Sequence, residues 1–331
     1  MVEKDQVVGV DLGGTRFRAC LIDREGNILR RRSWPTEAEG GPDHVIRRLS
    51  AGVLEVCAPD GLARVAAVGL GAPGPLDPWL GVILSTPNLP GWDQVPLRDL
   101  MQSELGLPVV LGNDANLAGL GELYFGAAKG LKDVVYLTVS TGIGGGVITD
   151  GRLLLGAHGL AGELGHMTIL PDGPLCGCGN HGCLEALASG TAIGRAARAR
   201  LRSGEPSRLL RLVEGDIDRV DAELVARAAA EGDALADEVF QSAATYLGIG
   251  VANILHAFDP EMVVIGGGVS QAGEMLFGTV RRVVQERAMP AYRATANIVP
   301  AALGDDAGLM GAAALALAEL KREHRPPTTP D

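Results

Sequence analysis

Three of the five cysteines lie within eight residues, at Cys176, Cys178 and Cys183 in the segment CGCGNHGC. Thiolates are soft metal ligands, and a structural zinc site takes four ligands in a tetrahedron. A disulfide would leave one thiol over, and the C-x-C spacing differs from the C-x-x-C of redox motifs. We therefore predict a metal site with three cysteine ligands. His166 and His181 are both available as the fourth ligand, and the spacing does not choose between them.

Two glycine-rich turns carry the residue types that hold phosphate groups. They are DLGGT at residues 11–15 and STGIGGG at residues 140–146, and each joins two strand-like segments. Backbone N–H groups and a threonine hydroxyl in such a turn can donate hydrogen bonds to phosphate oxygens. Asp11 beside the first turn is suited to hold Mg²⁺ through water, although an aspartate here also ends strands in Asx turns. The pair of turns favours a phosphate-binding site.

Other nucleotide-binding motifs are excluded. None of the four lysines follows a glycine, so the chain has no P-loop. A Gly-x-Gly-x-x-Gly match begins at Gly69, but Pro73, Pro75 and Pro78 prevent the helix whose N-terminus would bind a pyrophosphate. We interpret this match as fortuitous.

The elements that must position these residues alternate between strands and helices. Residues 7–22 and 134–149 each read as a strand, a glycine-rich turn and a returning strand, which predicts one structural unit used twice. Further strands are predicted at residues 65–70, 107–111, 262–265 and 296–300, and helices at 43–56, from NDAN towards 129, and at 190–202, 221–231, 234–258, 271–288 and 306–320. The segment 71–96 reads as a proline-rich loop. This alternation predicts α/β layers with largely parallel sheets.

Length and charge limit the class of protein. A chain of 331 residues is long enough for two lobes, because single cores rarely grow beyond about 250–300 residues. A net charge of −11 repels polyphosphate backbones and anionic lipids, so we expect neither a nucleic acid nor a membrane as partner. The polar start MVEKDQ is not typical of a signal peptide, and no apolar run reaches the roughly 18 residues of a membrane span. These features predict a cytoplasmic protein.

Cys20 and Cys57 lie in apolar surroundings and are expected to be small buried hydrophobes.

Five segments together resemble the ROK family of sugar kinases and repressors. They are DLGGT at 11–15, NDAN at 113–116, STGIGGG at 140–146, GELGH at 162–166 and CGCGNHGCLE at 176–185, in the family's order over nearly the whole chain. The resemblance implies the α/β, actin-like ATPase fold of hexokinases, with two lobes and a cleft for ATP and a sugar. We accordingly expect a small lobe at residues 1–114, with helix 306–320 packed back on it, and a large lobe at 115–305 carrying the metal motif. The polar, proline-rich segment 321–331 is expected to be a disordered tail.

Transfer of a phosphoryl group to an alcohol needs alignment, charge neutralisation and an acceptor for the hydroxyl proton. Asp114 lies between a predicted strand and a predicted helix start, where the helix N-terminus keeps a carboxylate ionised yet able to accept a proton. Its position alone is also typical of a helix N-cap. The resemblance implies that Asp114 is the catalytic base.

The resemblance also implies which residues meet the substrates. Those expected around the sugar are Asn88, Asn113, Asp114, Glu163, His166 and Glu185. Those expected at the nucleotide are Asp11, Gly13, Gly14, Thr15, Thr141, Gly142, Gly144, Gly266, Gly267 and Gly268. The family pattern selects His166 as the fourth zinc ligand, with Cys176, Cys178 and Cys183. A structural zinc would then hold GELGH against the cysteine segment and fix Glu163 relative to Glu185.

The implied function is phosphorylation of the 6-hydroxyl of glucose, with ATP as donor and Mg²⁺ as cofactor. Fructokinase or N-acetylhexosamine kinase activity is the nearest alternative. Polyphosphate in place of ATP is another, although the polyphosphate-dependent relatives tend to lack the cysteine cluster. The family's repressors carry a DNA-binding winged helix-turn-helix, for which the residues before Asp11 leave no room. We therefore expect an enzyme, and the family implies dimers or tetramers.

Overall fold

The computed structural model describes residues 3–86 and 89–323. The strands over these residues are β1 (Gln6–Leu12), β2 (Arg16–Asp23), β3 (Ile28–Pro35), β4 (Val65–Ala72), β5 (Leu76–Asp77), β6 (Val82–Ser85), β7 (Asp93–Val95), β8 (Val109–Asn113), β9 (Val134–Val139), β10 (Ile143–Thr149), β11 (Arg152–Leu153), β12 (Met262–Gly266) and β13 (Ile298–Pro300). The helices are α1 (Gly41–Cys57), α2 (Leu97–Leu105), α3 (Asp114–Phe125), α4 (Leu184–Ala188), α5 (Gly190–Arg202), α6 (Leu209–Leu212), α7 (Ala222–Ala230), α8 (Ala234–Phe258), α9 (Glu274–Arg287), α10 (Pro290–Arg293) and α11 (Ala307–Glu323). Of the expected tail at 321–331, α11 includes the first three residues, and residues 324–331 lie outside the described residues.

The chain divides into two units. The first unit comprises Met1–Gly130, Leu153–Ala161 and Asp305–Asp331, and the second comprises Leu131–Arg152 and Gly162–Gly304. Each unit contains its own five-stranded sheet, with β11 of the second sheet ending at Leu153.

The first unit is built on a sheet with the strand order β3-β2-β1-β4-β8. β1 pairs antiparallel with β2 and parallel with β4, and β4 pairs parallel with β8. Successive side chains of a strand point to opposite faces of a sheet. Val8 and Val10 of β1 therefore join the core formed with α1 and α2, whereas Val7 joins a second core with α11. Helices thus cover both faces of the sheet.

α11 lies directly on this sheet because glycines open the surface beneath it. A Cβ atom at Gly9 in β1 would lie 2.6 Å from the backbone oxygen of Leu309. A Cβ atom at Gly69 in β4 would lie 1.8 Å from the backbone oxygen of Ala312. Neither position tolerates a side chain while the helix stays in place. The last helix is therefore part of the first unit.

The observed division differs from the expected boundary after residue 114. α3 stays with the first unit, because it packs along α11, which rests on β1 and β4 of the same sheet. Residues 153–161 also return to the first unit, where a Cβ atom at Gly159 would lie 2.4 Å from the Pro78 ring. These contacts join segments that are distant along the chain, so no local pattern indicates them.

The second unit repeats the strand order of the first. Its sheet has the order β11-β10-β9-β12-β13. β9 pairs antiparallel with β10 and parallel with β12, and β12 pairs parallel with β13. The hairpins β1–β2 and β9–β10 therefore occupy equivalent places in the two sheets, as the predicted internal repeat requires.

Two local predictions were wrong. The segment 71–96 holds the small sheet β5-β6-β7, whose strands are two to four residues long and show no readable alternation. The helix predicted from residue 271 begins at Glu274, because Gly268–Ala272 forms a 3-10 turn and Gly273 follows it with φ 59°. That left-handed backbone interrupts a regular helix.

α8 is the central helix of the second unit. It packs on α9, where a Cβ atom at Gly248 would lie 2.6 Å from Cβ of Val283, and on α4, α5 and α7. Although it has 25 residues, neither α8 nor any other helix in the described part of the chain is long and apolar enough to span a bilayer.

Candidate active site and metal cluster

Four side chains of the second unit come together as a metal-binding cluster. One ligand atom from each of His166, Cys176, Cys178 and Cys183 lies within 4.8 Å of all the others. Cys176 Sγ is 3.7 Å from His166 Nδ1, and Cys178 Sγ is 3.7 Å from Cys183 Sγ. Sulfur ligands about 2.3 Å from a tetrahedral zinc lie about 3.7 Å from one another. The donor types and their spacing therefore fit a zinc-sized ion.

The backbone of the cysteine segment explains how these ligands meet. Cys183 forms an antiparallel bridge with Thr168, and the backbone N–H of Cys176 donates to the oxygen of Asn180 at 2.8 Å. Gly182 has φ 66°, and a Cβ atom there would lie 1.5 Å from the backbone oxygen of Leu170. The segment can turn back tightly because position 182 is glycine.

The two histidines that the sequence left open lie in different places. His166 belongs to the cluster and presents Nδ1 to it, whereas His181 is exposed and its Nδ1 lies 3.0 Å from the backbone oxygen of Gly173. His166 reaches the cysteines from the separate 3-10 turn Leu164–His166. The cluster thus links two segments of the chain.

The thiols of the cluster differ in acidity. Burial raises the pKa of Cys176 and raises that of Cys183 to about 12. At Cys178 the backbone N–H of Asn180 stabilises the thiolate and lowers the pKa. A metal binds thiolates, so metal binding must release protons from the two buried thiols.

The remaining cysteines confirm the prediction of small buried hydrophobes. Cys20 and Cys57 are both fully buried in the first unit. Burial raises the pKa of Cys20 to about 12 and that of Cys57 to about 11. Both thiols therefore stay protonated and unreactive at neutral pH.

Glu185 connects the cluster to the β9–β10 turn. Its Oε1 lies 3.6 Å from Cys176 Sγ, and its Oε2 accepts a hydrogen bond of 2.9 Å from the backbone N–H of Ile143. A Cβ atom at Gly142 would lie 2.4 Å from Oε2, so the glycine lets the carboxylate cover the turn. Glu163 is on the other side of the His166 ring, with Oε2 4.0 Å from Nε2. The structure therefore brings together Glu163, His166 and Glu185, three of the expected sugar-binding residues.

Asn113 and Asp114 lie where β8 meets α3. Asn113 is the N-cap, since its Oδ1 accepts hydrogen bonds from the backbone N–H groups of Ala115 at 3.0 Å and Asn116 at 3.3 Å. Asp114 is the first helical residue, with Oδ1 2.7 Å from the N–H of Ala115. Asn113 therefore fills the N-cap position that the sequence also allowed for Asp114. The loop before β5 is close by, because a Cβ atom at Gly74 would lie 3.1 Å from Asn113 Nδ2.

Asn88, the remaining expected sugar-binding residue, lies outside the described residues. The residues near it include two buried polar atoms, Thr86 Oγ1 and Trp92 Nε1, which have no hydrogen-bond partner in the described part of the chain. Buried polar groups are normally paired. The indole N–H of Trp92 is free to donate a hydrogen bond, and the hydroxyl of Thr86 is free to donate or accept one.

Asp11 does not stand alone at the end of β1. Arg18 lies directly opposite it in the β1–β2 register, and Nε and Nη2 of Arg18 donate to Asp11 Oδ2 at 3.2 and 2.5 Å. The turn between them is held by Thr36, whose hydroxyl donates to the oxygen of Gly13 at 2.6 Å and whose N–H donates to Thr15. Arg18 was not among the site residues predicted from the sequence; because it pairs directly with Asp11 across the hairpin, its side chain lies on the same face of the sheet.

A cavity of about 950 Å³ lies within the second unit. Its walls come from the β9–β10 turn, the start of α5, one face of α7 and the segment that runs from the 3-10 turn into α9. Residues on these walls include Thr141, Thr191, Arg198, Glu223, Ala226, Arg227, Ala230, Gly268, Gln271 and Met275. The cavity is large enough for a nucleoside, and both charged and apolar side chains line it.

The expected nucleotide residues are spread over several places. Thr141 and Gly268 line the cavity. Gly266 and Gly267 pack on β9 instead, where their Cβ atoms would lie 2.6 Å from the Tyr136 hydroxyl and 2.4 Å from the oxygen of Val139. Gly142 contacts Glu185 and Gly144 lies within β10, while Asp11, Gly13, Gly14 and Thr15 belong to the first unit. The α7 residues of the cavity were missed, because an amphipathic helix exposes such side chains whether or not a ligand is present.

Comparison with known proteins identifies the class of protein. Residues 7–319 match the model of the ROK family, and the chain belongs to this family. A glucokinase of Thermotoga maritima is 43% identical over 312 residues, which cover 94% of this chain and 97% of that protein.

Two solved structures agree with the fold. A ROK hexokinase from Thermus thermophilus has 42% identity and a TM-score of 0.81, covering 96% of this chain and 99% of that one. A ROK family glucokinase from Streptomyces griseus, in complex with glucose and AMPPNP, has 38% identity and a TM-score of 0.78, covering 94% and 99%. The fold is the actin-like fold of sugar kinases, which confirms the expected fold class.

Proposed function

We propose that this protein is a glucokinase that transfers the γ-phosphoryl group of ATP to the 6-hydroxyl of glucose. The observation that carries the proposal is the likeness to the Streptomyces griseus glucokinase, whose structure holds both glucose and AMPPNP. The likeness to the Thermotoga maritima glucokinase supports the same substrate pair. Fructose and the N-acetylhexosamines remain alternative acceptors, and polyphosphate an alternative donor.

Asp114 is the proposed base. It opens α3, so the N-terminal end of the helix stabilises its ionised form, and Asn113 satisfies the first free N–H groups of the helix. The carboxylate accepts the proton of the 6-hydroxyl as the sugar oxygen bonds to phosphorus. Asn88, Asn113, Glu163, His166 and Glu185 are proposed to bind the remaining sugar hydroxyls.

The nucleotide is proposed to use both glycine turns and the cavity. The N–H groups and threonine hydroxyls of the turns DLGGT and STGIGGG would donate to the triphosphate, and Asp11 would hold Mg²⁺. This ion would neutralise part of the phosphate charge. The adenosine is proposed to lie in the cavity of the second unit, against Gly268 and Met275.

The cluster of His166 and the three cysteines is proposed to hold a structural zinc. With Nδ1 of His166 bound to the metal, the ring proton resides on Nε2, which faces Glu163 and can donate to a sugar hydroxyl. The metal thereby fixes the orientation of the ring. Glu185 ties the same cluster to the β9–β10 turn, so loss of the metal is expected to disturb both proposed substrate sites.

The proposal is tested by coupled ADP release across glucose, fructose, mannose and the N-acetylhexosamines, followed by Asp114→Asn. With glucose as the best acceptor, we expect Asp114→Asn to lower kcat by about 10²- to 10⁴-fold, because the amide accepts no proton. Glucose affinity, measured by titration calorimetry, should change little. Asp99→Asn is the matched control, since Asp99 is an exposed aspartate in the first turn of α2. Full activity of Asp114→Asn, or no ADP release with any hexose, would contradict the proposed function.

A further inference from the structure

Arg18 is a largely covered cation beside the first glycine turn. Its side chain is 18% exposed, and it contacts Asp11 through Nε and Nη2. Its Nη1 lies 3.7 Å from Asp306 Oδ1, beyond hydrogen-bond distance. Asp306 has a nearer partner in Arg31, whose Nη1 donates to Oδ2 at 2.7 Å.

The guanidinium therefore keeps unused donors. An arginine side chain has more N–H groups than the two that Asp11 engages, and the others have no hydrogen-bond acceptor among the described residues. Asp11 and, at 3.7 Å, Asp306 balance the charge of Arg18, and the remaining N–H groups are available to an acceptor that water or a ligand supplies.

Asp11 fixes the direction of this guanidinium. Both hydrogen bonds go to the same oxygen, Oδ2, and the pairing is built into the strand register. The other oxygen faces the start of α11, where a Cβ atom at Gly308 would lie 3.5 Å from Oδ1. Asp11 thus accepts both hydrogen bonds from Arg18 with Oδ2, and Oδ1 is available to another partner.

We propose that Arg18 is a phosphate-binding residue of the kinase. Its unused N–H groups donate to the terminal phosphate oxygens of the nucleotide, while Asp11 orients the guanidinium and keeps Oδ1 for water bound to Mg²⁺. A planar guanidinium matches the geometry of phosphate oxygens and stays charged throughout. The inference rests on the proposed function, because it assumes a nucleoside triphosphate at the β1–β2 turn.

The test compares the binding of ATP and adenosine by Arg18→Met, Arg31→Met and the wild type, using titration calorimetry. Arg18→Met should weaken the affinity for ATP about 10- to 100-fold. It should leave the affinity for adenosine unchanged, because adenosine has no phosphate group for Arg18 to contact. Arg18→Lys should restore part of the ATP affinity. Arg31→Met is the matched control, since Arg31 shares Asp306 but is 62% exposed and does not contact Asp11.

A second measurement separates phosphate binding from an effect on the metal. ATP binding in a buffer that contains zinc but no Mg²⁺ should show the same loss in Arg18→Met, because the guanidinium acts on the phosphate directly. A loss that disappears without Mg²⁺, a parallel loss of adenosine binding, or unchanged ATP affinity would each overturn the role of Arg18. If the wild type itself binds no ATP, the proposed function fails instead, which distinguishes the two failures.

Discussion

His166 precedes the three cysteines along the chain and His181 lies between Cys178 and Cys183, yet of the two only His166 contacts the cluster. His166 adds a ligand atom from a separate segment, and His181 caps a backbone oxygen at the surface. His166 thus adds a side-chain ligand from GELGH to a cysteine segment that backbone hydrogen bonds already join to residues 167–170. Which histidine reaches the cysteines depends on the tight turn of the chain at Gly182. The spacing of the cysteines does not reveal that turn.

His166→Ala is expected to abolish stoichiometric zinc binding, lower Tm and weaken glucose binding. The physical reason is that three thiolates remain without the fourth ligand, so the metal no longer joins His166 to the cysteine segment. Zinc per chain is measured by inductively coupled plasma mass spectrometry, and Tm by circular dichroism. His181→Ala is the control and should keep the metal. Equal zinc content in both variants would disprove the assignment of His166.

α11 packs closely against the sheet and against α3 because glycines stand at the contact points. It contacts the sheet at Gly9 and Gly69, and it contacts α3 at Gly311, where a Cβ atom would lie 1.6 Å from the backbone oxygen of Leu117. The backbone of α3 cannot yield to a side chain without moving the start of that helix, which carries Asp114. The packing of α11 therefore supports the proposed base.

Gly311→Ala should destabilise the protein by about 1–3 kcal/mol, because the added methyl overlaps backbone atoms that cannot rotate away. The free energy of unfolding is measured by urea denaturation. Gly278→Ala in α9 is the matched change, since the nearest atom to its Cβ would be Glu274 Oε2 at 3.7 Å. It should stabilise by about 0.5–1 kcal/mol through helix propensity. An equal change in the free energy of unfolding from both substitutions would show that the close contact in α11 does not contribute to stability.

At the scale of the whole molecule, both units have many buried apolar side chains, but the metal cluster has little apolar packing of its own. The first unit has apolar cores on both faces of its sheet. Around the metal cluster, the buried apolar group consists of Cys176, Cys183 and Ala186. So small an apolar group contributes little free energy, and the metal is expected to supply most of the local stability there.

Removal of zinc with a chelator should therefore raise hydrogen exchange mainly in residues 162–189. Strands β1 and β4 should stay protected, because their hydrogen bonds and buried side chains do not depend on the cluster. Hydrogen-exchange mass spectrometry with and without the chelator makes the comparison, and readdition of zinc should restore protection. A uniform increase over both units would contradict a local role for the metal.

The sequence alone determined the α/β class, the repeated hairpin, the metal-type cysteine spacing and the family resemblance. Each of these is written in neighbouring residues, as alternation, turn glycines or short motifs. The tertiary structure decided that His166 joins the cysteines, that Asn113 caps α3, that α3 and α11 belong to one unit and that Arg18 pairs with Asp11. It also revealed the cavity beside α7. The Asn113 cap is a local choice between two neighbouring residues that both suit it. The other features arise from distances between residues far apart in the chain or on facing strands, and such distances are set only when strands pair and helices pack.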